Sequence, residues 1–255
     1  MDDLVFILLI LSFAMLVGSI LGFGDILIFV PLTSLILDVR VAVVISSFWS
    51  FILSIFNAVK YRDFYDPPFL KKNVLAGIFG VIIGSFLIIS APLDWIELFL
   101  GIFIIVYVIS KFIEHKKNKI SPEDVIQEAS LKDMYVYSGG FMYGFLGGLI
   151  GASGPINVIT LEKTGHHKES FIANFALVSV ILSLFKLSIF IWNALFPLEL
   201  FLLFLLGLGV IAIVTRIGHF IAPRLPKQTF EIAILSLLLI MGFRFLILNV
   251  ISLFF

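Results

Sequence analysis

Long apolar runs recur along the whole chain, among them Leu4 to Leu21, Val74 to Ala91, Phe99 to Ile109 and Leu198 to Val214. A helix of about 20 such residues crosses the roughly 30 Å hydrocarbon core of a bilayer. Of 255 residues, 61% are hydrophobic and 13% charged, against about 25% charged in an ordinary soluble domain. No soluble fold of this size hides that much apolar surface, so the expected solvent is lipid throughout, with no soluble domain. The start, Met1-Asp2-Asp3, is acidic and no small-x-small cleavage site follows, so the first apolar segment is expected to be retained. A net charge of zero argues against a nucleic-acid partner. With no cysteine, thiolate chemistry, disulfides and cysteine metal sites are excluded.

Apolar runs between charges and turn residues predict helices near 4–21, 26–37, 40–59, 73–91 and 95–113. A second set of five is predicted near 134–150, 155–163, 171–193, 198–215 and 229–253. The polar stretch 114–133 separates them and reads as a cytoplasmic linker between a first membrane repeat, 1–113, and a second, 134–255. An offset of 129 aligns much of the two sets. It carries Gly22 to Gly151, Ser50 to Ser179, Ser54 to Ser183, Asn57 to Lys186, and Gly80-Val81-Ile82 to Gly209-Val210-Ile211. A shared register of glycines and polar residues points to an internal repeat.

Each copy opens with a pair of segments interrupted by small residues: Gly18, Gly22 and Gly24 in one, Gly144, Gly147, Gly148, Gly151, Ser153 and Gly154 in the other. The second arm is too short to cross, about 18 Å for 26–37. Each pair is therefore either one kinked span or a re-entrant hairpin. Charge separates the two readings, because Lys and Arg concentrate in cytoplasmic loops. With hairpins, fourteen of the 17 Lys and Arg fall on one side and Arg40 alone on the other, while Lys186 and Arg244 lie within spans. Kinked spans divide the same loop residues nine to six. The expected fold is thus an all-α integral membrane protein of two inverted repeats, each a broken re-entrant helical hairpin followed by three transmembrane helices. Both termini are expected outside.

Broken backbone at membrane depth is tolerated where it is buried in protein or lines a cavity. Asp25 before the first short arm, and Ser153-Gly154-Pro155 before the second, are capping chemistry that would aim two helix N-termini into the protein. Unpaired N–H groups and positive dipole ends there suit an anion. Close packing by small residues is the plainer reading of the glycines. Ser46, Ser50, Ser54 and Asn57 fall within about 80° on one face of segment 40–59. Their counterparts are Ser179, Ser183 and Lys186. Serines alone signal helix–helix hydrogen bonds as readily as a substrate path, but a lysine in mid-span is costly and points to function. His166-His167 with Glu169 looks like a metal cluster, yet it neighbours Lys163 and Lys168 and reads as a solvated turn. Arg244 fits a pathway or a snorkelling role equally, and Trp95 and Trp192 fit interfacial anchors.

The arm Gly22-Phe23-Gly24-Asp25-Ile26-Leu27-Ile28-Phe29-Val30-Pro31, echoed from Gly151 to Thr160, resembles the duplicated signature of the TauE/SafE sulfite-exporter family, also called the toluene-sulfonate uptake permease family. Ala42-Val43-Val44-Ile45-Ser46-Ser47 is similar to that family's Ala-Val-x-Thr-Ser segment, with Ala173-Asn174 as its second-copy counterpart. The chain departs from the pattern at Gly24-Asp25-Ile26 and Ser153-Gly154-Pro155, where the family has runs of glycine, and at Thr160, where it has proline. The resemblance implies a secondary transporter in the cytoplasmic membrane, moving sulfite, sulfonates or related organic anions without ATP.

Together these readings predict an exporter of a small anion working by alternating access, with no cofactor and no metal. The expected site lies between the hairpin tips and the two polar helix faces, and comprises Gly22, Gly24, Asp25, Ser46, Ser47, Ser50, Asn57, Gly151, Ser153, Gly154, Asn174, Ser179 and Lys186. Asp25 is the candidate proton carrier, since a carboxylate beside an anion in low dielectric favours its neutral form. Proton coupling and homo-oligomerisation are both compatible with this class. A carrier of a carboxylate is the rival within it. An intramembrane enzyme is disfavoured because no acid–base or nucleophile constellation shares a face, and a structural or signalling role without a ligand is the third reading.

Overall fold

The computed structural model describes residues 2–21, 24–116, 129–196, 201–221, 224 and 227–254. Their regular structure is entirely helical: α1 (Asp2–Leu21), α2 (Asp25–Thr33), α3 (Val39–Lys60), α4 (Pro67–Ser90), α5 (Leu93–Lys116), α6 (Ala129–Leu149), α7 (Gly154–Lys163), α8 (Lys168–Trp192), α9 (Phe201–Ile221) and α10 (Lys227–Phe254). A 3₁₀ turn, Arg62–Phe64, links α3 to α4. Seven of these helices are long and apolar enough to cross a bilayer; α2, α6 and α7 are not among them. Residues 117–128 of the expected linker, and Gly22, lie outside the described residues.

Local chemistry explains the helix ends. Asp66 caps α4, its carboxylate accepting from Phe69 N–H at 3.3 Å, while Pro67 and Pro68 occupy first-turn positions where no N–H is needed. That cap starts α4 six residues before the apolar run expected from 73. At the end of α7, Gly165 takes φ 85° and His166 N–H reaches back to Leu161 C=O at 2.9 Å, which closes the last turn.

The opening pairs are hairpins. The α6–α7 arms run antiparallel, with Gly147 against Ser153 near the turn and Gly139 against Thr160 at the open end. A continuous kinked span would hold residues 139 and 160 about 30 Å apart. In the α1–α2 pair, Gly18 meets Asp25. Gly24 and Gly151 supply the left-handed backbone at the two breaks, with φ 94° and 72°.

The chain forms two compact units that interleave its halves: 43–90 with 120–196, and 1–42 with 91–119 and 197–255. In the 43–196 unit, α4 and α6 run parallel in close contact, Asn73 meeting Gly140, Gly77 meeting Gly144 and Ser85 meeting Gly148. Small residues every fourth position allow backbones to approach this closely. Phe69, Val81, Tyr143, Leu161, Val178 and Leu182 form the core joining α4, α6, α7 and α8. Apart from Lys186, the charged residues described in this unit gather at one end, where Lys72 pairs with Asp133 and Asp66 meets His166. In the other unit, α1 packs on α9 and α5 on α10. There Glu97 pairs with Asn249, Gly101 with Phe245 and Gly242 with Ile105, so α5 and α10 are antiparallel. The offset of 129 turns the α4–α6 pairing of one unit into the α9–α1 pairing of the other.

Candidate functional site

The α6–α7 break is the structurally unusual place in the 43–196 unit. α6 ends at Leu149, the chain turns through Gly151, and Ser153 becomes the N-cap of α7 with Gly154 and Pro155 behind it. The Ser153 side chain makes no capping hydrogen bond. Pro155 brings no N–H, and Ile156 N–H already bonds Ser153 C=O at 3.0 Å. The first turn therefore keeps fewer open donors than its position suggests, and a ligand there needs side-chain help.

Lys186 supplies a charge at that point. It is 6% exposed, and its ammonium donates to the carbonyl of Gly147 in the last turn of α6, at 3.3 Å. Ser153 packs on the same Gly147. Among the described residues, no carboxylate pairs with Lys186. A cation in an apolar span is thus held by one helix-end carbonyl, beside the start of a second helix. Ser183 and Ser179 continue the stripe along α8, both buried, and Ser179 accepts from Ser54 of α3 at 2.9 Å.

The profile of the sulfite exporter TauE/SafE family matches residues 7–245. The chain belongs to that family. No curated protein and no solved structure matches it. Membership in the TauE/SafE family, with seven membrane-length apolar helices, makes it a multi-pass protein of a family of sulfite and sulfonate exporters.

The expected site residues fall into distinct groups. Gly151, Ser153, Gly154 and Lys186 come together at the break. Ser179 is bonded to Ser54 about two turns from Lys186 along α8, while Ser50 and Asn57 lie half-buried on α3. Ser46 and Ser47 are buried and turn back onto Val43 C=O of their own helix, at 3.0 and 2.6 Å. Asn174 lies about 18 Å from Lys186 along α8. Its amide is engaged, accepting from Asp66 N–H at 2.9 Å and donating to Ser170 C=O at 2.7 Å. Gly24 and Asp25 belong to the other unit. There Gly24, not Asp25, is the N-cap, because the break needs its left-handed backbone. Asp25 is the first helical residue, with its carboxylate against the N–H of Ile26.

The expectation of a solvated turn at His166 is corrected. His166 is 6% exposed, bonding Thr164 through Nδ1 at 3.0 Å and Asp66 through Nε2 at 3.2 Å, with its ring 4.5 Å from that of Phe69. Burial lowers its pKa below the usual 6.5, more than Asp66 raises it, and Lys132 adds to the lowering. His167 and Glu169 are exposed. Among the described residues, no group of three or more His, Asp or Glu is placed to hold a metal. The residue that the sequence reading passed over is Asn157 of α7, fully buried and without hydrogen-bond partners among the described residues. Its one signal was an amide in the apolar first half of the arm, Pro155-Ile156-Asn157-Val158-Ile159.

Proposed function

We propose that this TauE/SafE protein exports a small oxyanion, sulfite or an organosulfonate, across the cytoplasmic membrane by alternating access, with the α6–α7 break as an anion contact. The observation that carries the reading is Lys186: a buried cation without a carboxylate partner among the described residues, at a helix break lined by Ser153. Such a charge is costly in an apolar span unless an anion or a cavity meets it. The antiparallel course of α5 and α10 supports inverted repeats, since repeats in the same orientation would run these two helices parallel. The basic end of the 43–196 unit supports a cytoplasmic location for the α3–α4 and α7–α8 turns.

Ser50, Asn57 and Ser179 are proposed to extend the path along α3 and α8. Asp25 is proposed to couple a proton to transport. Thermal unfolding of the detergent-purified protein across a panel of anions tests the substrate class. Sulfite and sulfonates should raise the midpoint in a concentration-dependent way, while chloride and carboxylates should not. Stabilisation by carboxylates alone would replace the sulfur oxyanion with an organic acid.

A further inference from the structure

Asn157 occupies a position where leucine would leave no polar group exposed to an apolar interior. Its exposure is 0%, and both its amide oxygen and its amide nitrogen lack a partner. Among the described residues, Thr33, Arg40, Asn73 and Ser85 each have one buried side-chain atom without a partner, and Asn157 has two, its amide oxygen and its amide nitrogen. Buried polar groups are nearly always paired, so this amide calls for a ligand that both accepts and donates. Ser153, Asn157 and Thr160 share one stripe of α7. Its two ends face α6, Ser153 at Gly147 and Thr160 at Gly139. Gly147 is also the acceptor for Lys186. The amide therefore lies one helical turn from the break where the ammonium is held.

A fully deprotonated oxyanion offers only acceptors. It would satisfy the Asn157 N–H groups and oppose the lone pairs of Oδ1. An oxyanion that keeps one acidic hydrogen satisfies both, and its single negative charge matches the single lysine. We propose, resting on the oxyanion-transporter reading above, that this site takes the acid monoanion, hydrogensulfite rather than sulfite. Asn157 donates from Nδ2 to a charged oxygen and accepts at Oδ1 from the substrate's acidic hydrogen. Each anion moved then carries one proton with it.

The test is anion binding to the purified protein, read by thermal unfolding from mildly acidic to mildly alkaline pH, with sulfite and with methanesulfonate, a monoanion lacking an acidic hydrogen. Wild-type affinity for total sulfite, taken relative to that for methanesulfonate so that any titration of Lys186 cancels, should fall about tenfold per pH unit on the alkaline side of hydrogensulfite's own titration. Asn157→Leu should unfold at higher temperature without anion, bind sulfite about tenfold more weakly at acidic pH, and lose the pH dependence. Asn157→Ala gives the same readout should leucine prevent folding. Level relative affinity for sulfite in the wild type, or a wild-type pH profile in both variants, overturns the proposal and leaves the transporter reading standing. Failure of the wild type to bind either anion overturns that reading as well.

Discussion

Replacing Lys186 by methionine removes the ammonium and keeps an unbranched chain of similar length. A lysine at the centre of a membrane helix costs roughly 2.5–3.5 kcal/mol on insertion scales. A hydrogen bond from a charged donor returns about 1.5–3 kcal/mol, and the 3.3 Å contact with Gly147 is long for such a bond, which favours the low end. Without anion, Lys186→Met should therefore be about 1–2 kcal/mol more stable than the wild type. A hundredfold excess of a bound anion over its Kd adds about 2.7 kcal/mol to the wild type and little to the variant. Chemical unfolding in mixed micelles, with and without sulfite, should thus show the order of stabilities reversing when anion is added. A loss of about 3–5 kcal/mol in anion-free Lys186→Met would be the signature of an orphaned carboxylate. It would make Lys186 half of an internal ion pair and refute the argument.

Gly144→Ala places a methyl on the Gly77 carbonyl and should cost about 1–3 kcal/mol, whereas Gly209→Ala meets nothing within 4 Å and should gain about 0.8–1 kcal/mol; unfolding monitored by circular dichroism compares them. His166 is held neutral by burial, so the unfolded chain takes up a proton first as pH falls below 6.5. Stability should decline from there toward the lower folded value, and His166→Asn should flatten that slope in a pH series of unfolding midpoints. Asp25→Asn keeps a polar first turn and removes titration, so its transport of methanesulfonate, an anion with no acidic hydrogen of its own, should lose pH dependence; unaltered pH-dependent methanesulfonate transport would remove Asp25 as the proton carrier.

Much of the fold follows from hydropathy and glycine placement. The ten segments, the two short arms and the breaks at Gly24 and Gly151 can be read because apolar length and left-handed backbone leave local marks. Which helices pair is not local. Gly144 and Gly148 look like part of a helix break, yet with Gly140 they bring α6 against α4 of the first half. Lys186 was legible because a charge in an apolar span is rare. Asn174 was read by analogy with the first copy, and nothing in its own segment announces that the Asp66 turn engages its amide. His166 looked solvated beside Lys163 and Lys168, since sequence does not reveal that the helix cap of α7 folds it inward onto Phe69. Asn157 escaped notice because its significance is the absence of partners, which only the packing of α6 and α7 exposes.

Passage of an oxyanion through this protein, with Lys186 binding it on the way, is open to direct measurement. Counterflow in proteoliposomes loaded with unlabelled sulfite and diluted into labelled sulfite measures this directly, because exchange needs a carrier and no other energy source. Wild-type vesicles should accumulate label transiently above the level of protein-free vesicles, and well-folded Lys186→Gln should reduce that accumulation to the protein-free level. Absence of counterflow in the wild type with both sulfite and sulfonates, or an unchanged rate in Lys186→Gln, would contradict the account.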